Sequence, residues 1–358
     1  MSPFVFYAGL IIVICIAYFY YKLISLTIFK QLNPLKRFII PLIICLCLFF
    51  VSFIRIGHIS IIYAHFFVFM GLTDIVFFFI NLKREKKIVI HTYISFVFTL
   101  IYVIISVFLG FKVFKTDYSL TTNKMNNSLK IAQITDVHLG NTFDGKGFTK
   151  YIEEISELNP DILVVTGDFV DDETKKEEMI IACEALGNAK TKYGVYFVHG
   201  NHDKGYYPKY RNYTREDLNN ELIKNNVYIL EDEYTLVNNE FYIIGRKDKS
   251  YKDRLSMDEL MKDIDKSKYT ILLDHQPNDY NNEKGKVDLV LSGHTHGGNL
   301  FPVNFLVYAK NDQTYGIEEI DNTTFIVSSG ISCWGMPMNN VTIQEYVIVN
   351  INRVEERK

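Results

Sequence analysis

The sequence predicts two structural classes in one chain. Residues 1–115 read as an α-helical transmembrane bundle, residues 130–358 as an α/β domain, and residues 116–129 as a short polar linker between them. Two observations carry this. The composition is split, almost wholly apolar and aromatic up to about residue 115 and mixed like a soluble domain thereafter. Beyond the split, β-branched runs recur, and most of the fragments that can hold a cation directly follow one.

Taken in order, four apolar runs come first: Phe4–Tyr21, Phe38–Ile54, Ile56–Leu82 and Ile88–Phe114. Each is near or above the length that spans the ~30 Å hydrocarbon layer of a bilayer. No basic stretch precedes Phe4 and more spans follow, so the first run does not read as a cleavable signal peptide. The second run is the shortest, and only Arg55 separates it from the third, so two spans or a re-entrant hairpin over 38–82 stay open. Lys22, Lys30, Lys36 and Arg37 lie between the first two runs, and Lys83, Arg84, Lys86 and Lys87 between the last two. The positive-inside rule puts both basic loops in the cytoplasm, and with four spans it puts both termini and the α/β domain outside. Arg55, His58, His65, Asp74 and His91 are the polar groups inside the runs, and a structural role fits them better than a transport path.

The α/β region starts with three runs that read as buried parallel strands: Lys130–Thr135, Asp161–Thr166 and Val195–His199. Helical patterns follow near 146–158, 173–189 and 214–225. A hairpin is predicted at Tyr234–Val237 and Glu240–Gly245, turning on Asn238-Asn239. Further strands are expected at Tyr269–Asp274, Asp288–Leu291, Thr323–Ser328 and Val341–Ile351. About 225 residues suffice for one sizeable core. The net charge of −3 hides the compositional split and gives no reason to expect nucleic acid as a partner. The five cysteines suggest no bridge: Cys15, Cys45 and Cys47 fall in apolar runs, and nothing pairs Cys183 with Cys333.

Five fragments near strand ends fit together as one metal site: Asp136-Val137-His138, Gly167-Asp168, Gly200-Asn201-His202-Asp203, His275, and Gly293-His294-Thr295-His296. Side chains at the carboxyl ends of parallel strands converge in one crevice. Two divalent cations about 3.5–4 Å apart clamp a phosphoryl group and activate a water. Holding them that close takes a shared carboxylate, for which Asp168 is the natural candidate. Imidazoles and the Asn201 amide complete the shells without adding charge. Mixed Asp/His/Asn ligation suits Mn, Fe or Zn, with Mg an acceptable alternative. Asp171 and Asp172 could orient ligands or could simply be acids before a helix.

In this order the fragments resemble the calcineurin-like metallophosphoesterases, over roughly residues 129–351. The resemblance implies a two-sheet β sandwich flanked by helices. It also implies one metal on Asp136, His138, Asp168 and His296 and a second on Asp168, Asn201, His275 and His294. His202 would be catalytic, stabilising or protonating the leaving oxygen, with Asp203 orienting it. Related membrane-linked phosphoesterases have Gln where Asn299 stands. They also have a phosphate-contacting Arg after the Gly-x-Pro, where this chain has Met338-Asn339-Asn340.

Three loops by the site are rich in Tyr, Trp, Lys, Arg or apolar residues: 204–215, 297–308 and 332–338. Such residues settle at membrane interfaces. The expectation is therefore a membrane-bound hydrolase acting on a phosphoester or pyrophosphate, with a lipid-linked substrate favoured, as in UDP-diacylglucosamine pyrophosphatases. That particular substrate is cytoplasmic, which conflicts with the expected topology. A non-catalytic membrane sensor or scaffold that binds a phosphorylated ligand is the alternative from another class.

Overall fold

The computed structural model describes residues 3–52, 56–82, 84, 91–206 and 211–354; the side chains of 3–8, 51–52, 56–61 and 91 lie outside the description as well. The chain divides into two compact units, Met1–Ser106 and Val107–Lys358.

The described part of the first unit is helical: α1 (Pro3–Ser25), α2 (Thr27–Lys30), α3 (Pro34–Ser52), α4 (Ile56–Leu82) and α5 (His91–Phe111), which runs on into the second unit. Among the described residues, Ile62–Leu82 and Thr92–Phe111 are long and apolar enough to cross a membrane, and Gly9–Ser25 is apolar but shorter. The segment containing Arg55 falls outside the described residues, as do the side chains of His58 and His91, so the choice between two spans and a hairpin is not decided there. Lys22 had been placed in a basic loop. It lies instead inside α1, is 4% exposed, and pairs with Asp74 of α4, which also accepts the Tyr18 hydroxyl at 2.5 Å. A buried cation needs such a partner, and only the tertiary fold supplies it. One basic residue thereby drops out of the loop asymmetry.

The second unit is a pair of six-stranded sheets. The first has the order β1-β12-β2-β3-β4-β5, the second β10-β11-β9-β8-β7-β6. The strands are β1 (Val113–Thr122), β2 (Leu129–Ile134), β3 (Ile162–Thr166), β4 (Val195–Val198), β5 (Val227–Ile229), β6 (Glu233–Val237), β7 (Phe241–Gly245), β8 (Tyr269–Leu273), β9 (Leu289–Ser292), β10 (Gly316–Ile320), β11 (Thr323–Val327) and β12 (Gln344–Arg353). The β2-β3-β4-β5 ladder is parallel, as is β7-β8-β9-β11. Side chains between the sheets form one core, including Ile131, Val164, Ile271 and Leu291. The outer face of the first sheet is covered by α6 (Gly145–Glu157), α7 (Lys176–Gly187) and α8 (Arg215–Lys224), with Phe148, Met179 and Leu218 buried beneath. The second sheet's outer face packs on the short helices α9 (Met257–Leu260) and α10 (Tyr280–Glu283). One more short helix, α11 (Asn304–Tyr308), follows the last candidate ligand. The β6–β7 hairpin turns on Asn238 and Asn239, both at positive φ, as an Asn-Asn pair can.

The stretch at 116–129 needs correcting. Its first half, Thr116–Thr122, belongs to β1, an edge strand parallel to β12 in register Val113↔Gln344 through Thr122↔Arg353. Lys115, Asp117 and Ser119 alternate with more buried neighbours, and Tyr118 and Leu120 pack on the intersheet core. Polar outward positions are what an exposed edge tolerates, and they made the segment read as a linker. Strands β5 and β10 were likewise not foreseen.

Candidate metal centre

All five fragments sit in turns that follow parallel strands. Asp136 and His138 come after β2, Asp168 after β3 and Asn201 and His202 after β4. From the second sheet come His275 after β8 and His294 and His296 after β9. The structure brings all seven candidate ligands together. Asp136, His138 and His296 form one group of donors within 4.8 Å of one another, and Asp168, His275 and His294 a second. Asn201 Oδ1 lies 3.2 Å from His275 Nε2 in the second group.

Asp168 lies between the groups. One carboxylate oxygen, Oδ1, accepts the His202 backbone N–H at 2.8 Å. The other, Oδ2, is 3.1 Å from His275 Nε2 and 3.7 Å from His138 Nε2. The imidazoles are oriented from behind. His275 Nδ1 donates to the Thr166 carbonyl at 2.8 Å and His296 Nδ1 to that of Ser332 at 3.1 Å. Each Nε2 lone pair is then left facing the centre. His138 Nδ1 contacts Asp171 at 3.2 Å, and its Nε2 comes within 3.2 Å of His296 Nε2.

The backbone is strained where the donors are. Asp136, His138, Asp168, His294 and His296 all have positive φ, between 39° and 71°. Non-glycine residues hold this conformation at a cost of roughly 1–3 kcal/mol each, and such positions cluster at functional sites. Close approach explains Gly293: a Cβ there would strike Thr135 Oγ1 and the Asp136 carboxylate. His294 N–H then donates to Asp136 Oδ2 at 2.8 Å, tying the two sheets together.

These residues fit divalent cations. Asp136 Oδ1 and His294 Nδ1 are buried without a hydrogen-bond partner, an arrangement that costs free energy unless a ligand is held. Burial holds the His296 imidazole down at about 4 despite Asp136, and burial with the neighbouring His275 lowers His294. A lowered imidazole suits a cation ligand, which must bind unprotonated. Burial alone would lower His275 and raise Asp168, yet their mutual attraction drives His275 well up and Asp168 well down. The field at this point favours positive charge.

His202 is part-buried, and its Nδ1 lies 3.1 Å from Asp171 Oδ1. Here another expectation needs correcting, because Asp203 does not orient His202. Its Oδ1 accepts the backbone amides of Phe169 and Val170 at 2.9 and 3.0 Å, and its Oδ2 accepts that of Gly200 at 2.7 Å. Asp203 braces the Asp168 and Asn201 turns. The carboxylate that touches both His138 and His202 is Asp171. It is no helix N-terminal acid, since α7 starts only at Lys176. Burial would raise its pKa, but hydrogen bonds to the two imidazoles hold it far below the carboxylate range. Burial would also depress His202, and Asp171 with the Asp168 charge raises it instead. Where an Arg was missed after the Gly-x-Pro, Asn339 and Asn340 are structural. Asn339 Oδ1 accepts from Val341 and Thr342 N–H, and Asn340 Oδ1 from Phe301 N–H at 2.7 Å.

A two-sheet sandwich with strained Asp and His donors at its strand ends defines a metal-binding phosphoesterase-type centre. The model of the calcineurin-like phosphoesterase family matches residues 129–298. A metallophosphoesterase of Aquifex aeolicus is 35% identical over 248 residues, 65% of this chain and 90% of its own. One from Helicobacter pylori is 32% identical over 238 residues, 64% of this chain and 61% of its own. A Bos taurus protein named as a transmembrane protein with a metallophosphoesterase domain is 30% identical over 234 residues, 59% of this chain and 50% of its own. The chain thus spans about three fifths of the Helicobacter relative and half of the bovine one. The chain belongs to the calcineurin-like metallophosphoesterase family.

Proposed function

We propose that the chain is a membrane-bound, metal-dependent hydrolase of phosphoester or pyrophosphate bonds. The observation that carries this is the convergence of two donor groups on Asp168, with Asp136 Oδ1 and His294 Nδ1 buried and unpartnered. Asp136, His138, Asp168 and His296 would hold one divalent cation, and Asp168, Asn201, His275 and His294 the other; Mn, Fe or Zn suits the donors, and Mg is acceptable. When bound, the ions supply charge neutralisation for the phosphoryl oxygens and an activated water. The chain's own residues do the rest. The His202 N–H pins Asp168 Oδ1, so that Oδ2 stays between the two groups. Asp171 holds His138 and His202 by their Nδ1 atoms, which turns each Nε2 toward the centre. The raised affinity of His202 for its proton suits donation to a leaving oxygen. Turnover of an aryl phosphate by manganese-loaded protein, absent in Asp168→Asn, is the test. Bound metal without turnover would favour a sensor instead.

The finer reading is a multi-pass protein acting on a lipid-linked phosphate or pyrophosphate. Helix α5 supports it by being inside out. Ser95, Thr99 and Ser106 are buried, whereas Val97, Phe98, Ile104, Ile105 and Phe108 are each more than half exposed. That pattern suits an apolar solvent. The other basic residues between the apolar runs, Lys30 at the end of α2, Lys36 and Arg37 at the start of α3 and those in 83–87, favour an outward-facing catalytic unit. This orientation fits lipid phosphates of the outer leaflet better than a nucleotide-lipid such as UDP-diacylglucosamine. A reporter active only outside the cytoplasm, fused after Lys358, checks it; signal from an inside-only reporter overturns the orientation and restores the nucleotide-lipid.

A further inference from the structure

Two interlocked loops adjoin the centre, one following the candidate ligand His296 and one carrying Trp334. The first runs from Asn299 through α11. The second runs from Cys333 to Thr342. Asn340 N–H donates to the Asn299 carbonyl at 3.0 Å, Phe301 N–H to Asn340 Oδ1, and Thr342 Oγ1 to the His296 carbonyl at 3.3 Å. The rim is therefore fixed to a candidate ligand.

Its outward side chains are of the wrong kind for water. Val303, Phe305, Leu306 and Tyr308 are 54%, 60%, 64% and 44% exposed, and Trp334 on the second loop is 55% exposed. Isolated exposed apolar residues are ordinary, but a cluster of them beside a site marks an interaction surface. Trp334 also lies 5.9 Å, ring to ring, from His202. Trp334 thus stands beside the proposed catalytic imidazole.

What covers this surface follows from its neighbour in the fold. Gly110, in the last turn of α5, lies against the second rim loop so closely that a Cβ there would collide with the Pro337–Met338 backbone. Cys333 Sγ sits 3.7 Å from the Gly110 carbonyl. The second loop is therefore packed on the end of a helix long and apolar enough to cross a bilayer. Only Lys112 separates that helix from β1. A span that ends at the loop leaves the loop at the depth of the headgroups, where Trp and Tyr settle and aliphatic tips reach the acyl chains.

We propose that Val303, Phe305, Leu306 and Trp334 insert into the bilayer interface, so that the metal centre opens onto the membrane and takes its phosphorylated substrate from the lipid plane. This rests on the membrane reading of α5 and deepens the lipid-substrate reading. A second copy of the chain or a protein partner on the same surface would be a different outcome.

The chain has a single tryptophan, which makes the test direct. Full-length protein is reconstituted in phosphatidylcholine vesicles, with and without lipids brominated near the headgroup. The expected result is blue-shifted Trp334 emission, quenched by the brominated lipid and shielded from aqueous iodide. A Trp334→Phe, Phe305→Trp double variant moves the fluorophore onto α11 and should be quenched likewise. Iodide-accessible, bromine-insensitive emission from both proteins overturns the proposal. So does emission shielded from iodide yet insensitive to bromine, which would place protein on the rim. In the second arm, Leu306→Glu should keep its metal and its turnover of a soluble aryl phosphate. It should lose roughly tenfold to a hundredfold in turnover of a vesicle-borne lipid phosphate, the loss expected for one aliphatic anchor. Equal loss on both substrates overturns the proposal. If wild-type protein is quenched but cleaves no lipid phosphate, the rim stands and the substrate reading fails. If it cleaves lipid phosphate while the tryptophans stay in water, the rim fails and the substrate reading stands.

Discussion

The two sheets bring different chemistry to the metal centre. Turns after β2, β3 and β4 deliver both candidate carboxylates, the Asn201 amide and a single candidate imidazole, His138. Turns after β8 and β9 deliver only imidazoles: His275, His294 and His296. The bracing differs too. On the first sheet one carboxylate, Asp203, collects three backbone amides. On the second, Arg246 and Arg254 surround Asp274, next to His275. Arg246 also reaches Asp279 at 2.8 Å and Glu283 at 2.9 Å. All the negative charge thus comes from the first sheet and three of the four candidate imidazoles from the second, so the donor set is complete only when the sandwich is closed. Gln133 spans that closure, donating to Thr166 Oγ1 on its own sheet and to the Ser292 carbonyl on the other.

The largest break in this comparison should come from Asp168→Asn, which removes the charge shared by both groups. Loss of measurable turnover is expected, with at most one metal retained in elemental analysis. Next comes His202→Ala, which keeps the backbone N–H bonded to Asp168 and removes only a side chain hydrogen-bonded to Asp171. Both metals and the fold should survive while kcat falls on the order of 10²–10⁴, the range of general acid groups. The loss should shrink for nitrophenolate leaving groups, which need little protonation; metal loss in this variant would make His202 a ligand. Asp171→Asn should show a related but smaller kcat loss, since it orients His202 from behind.

The two braces can be set against each other. Asp203→Ala leaves three buried N–H groups without an acceptor, for a loss of about 3–5 kcal/mol in unfolding free energy. Arg246→Ala strips a shared cation from three carboxyls, and breaking such a buried pair costs about 3–5 kcal/mol. Their local signatures should differ: metal affinity falls mainly at the Asn201 side in both, but only Arg246→Ala should also release His275 from its turn, as seen in imidazole NMR shifts. The smallest effect belongs to exposed Asp217, which caps α8 through Thr214. Backbone and hydroxyl hydrogen bonds from Thr214, with Lys176, lower its pKa to about 2. A depressed carboxylate stabilises the fold above its unfolded value and loses that contribution as pH falls through the folded one. Asp217→Asn should therefore flatten the pH dependence of stability between about pH 4 and pH 2 and change nothing at neutral pH beyond a small cap loss.

How much was legible in the sequence follows the same division. The convergence of the candidate ligand fragments could be read because most stand one or two residues beyond a β-branched run, and strand polarity aligns them. Asp171 could not be assigned, because its two partners arrive from β2 and β4 and no spacing along the chain reveals that. Asp203 is misread for the same reason: it neighbours His202 in sequence, but its Oδ1 faces the amides of Phe169 and Val170, which follow β3. Strand β1 was hidden by its polar edge and by a partner more than 200 residues distant. Lys22 looked like a loop cation until Asp74 of another helix was beside it. The rim was visible as composition, whereas its attachment to the end of α5 through Gly110 was not.

The central claim is a two-cation centre shared on Asp168. Its most direct test is metal counting on purified full-length protein loaded with manganese and freed of excess ions. The account predicts two ions per chain in the wild type. One ion, or none, would contradict it.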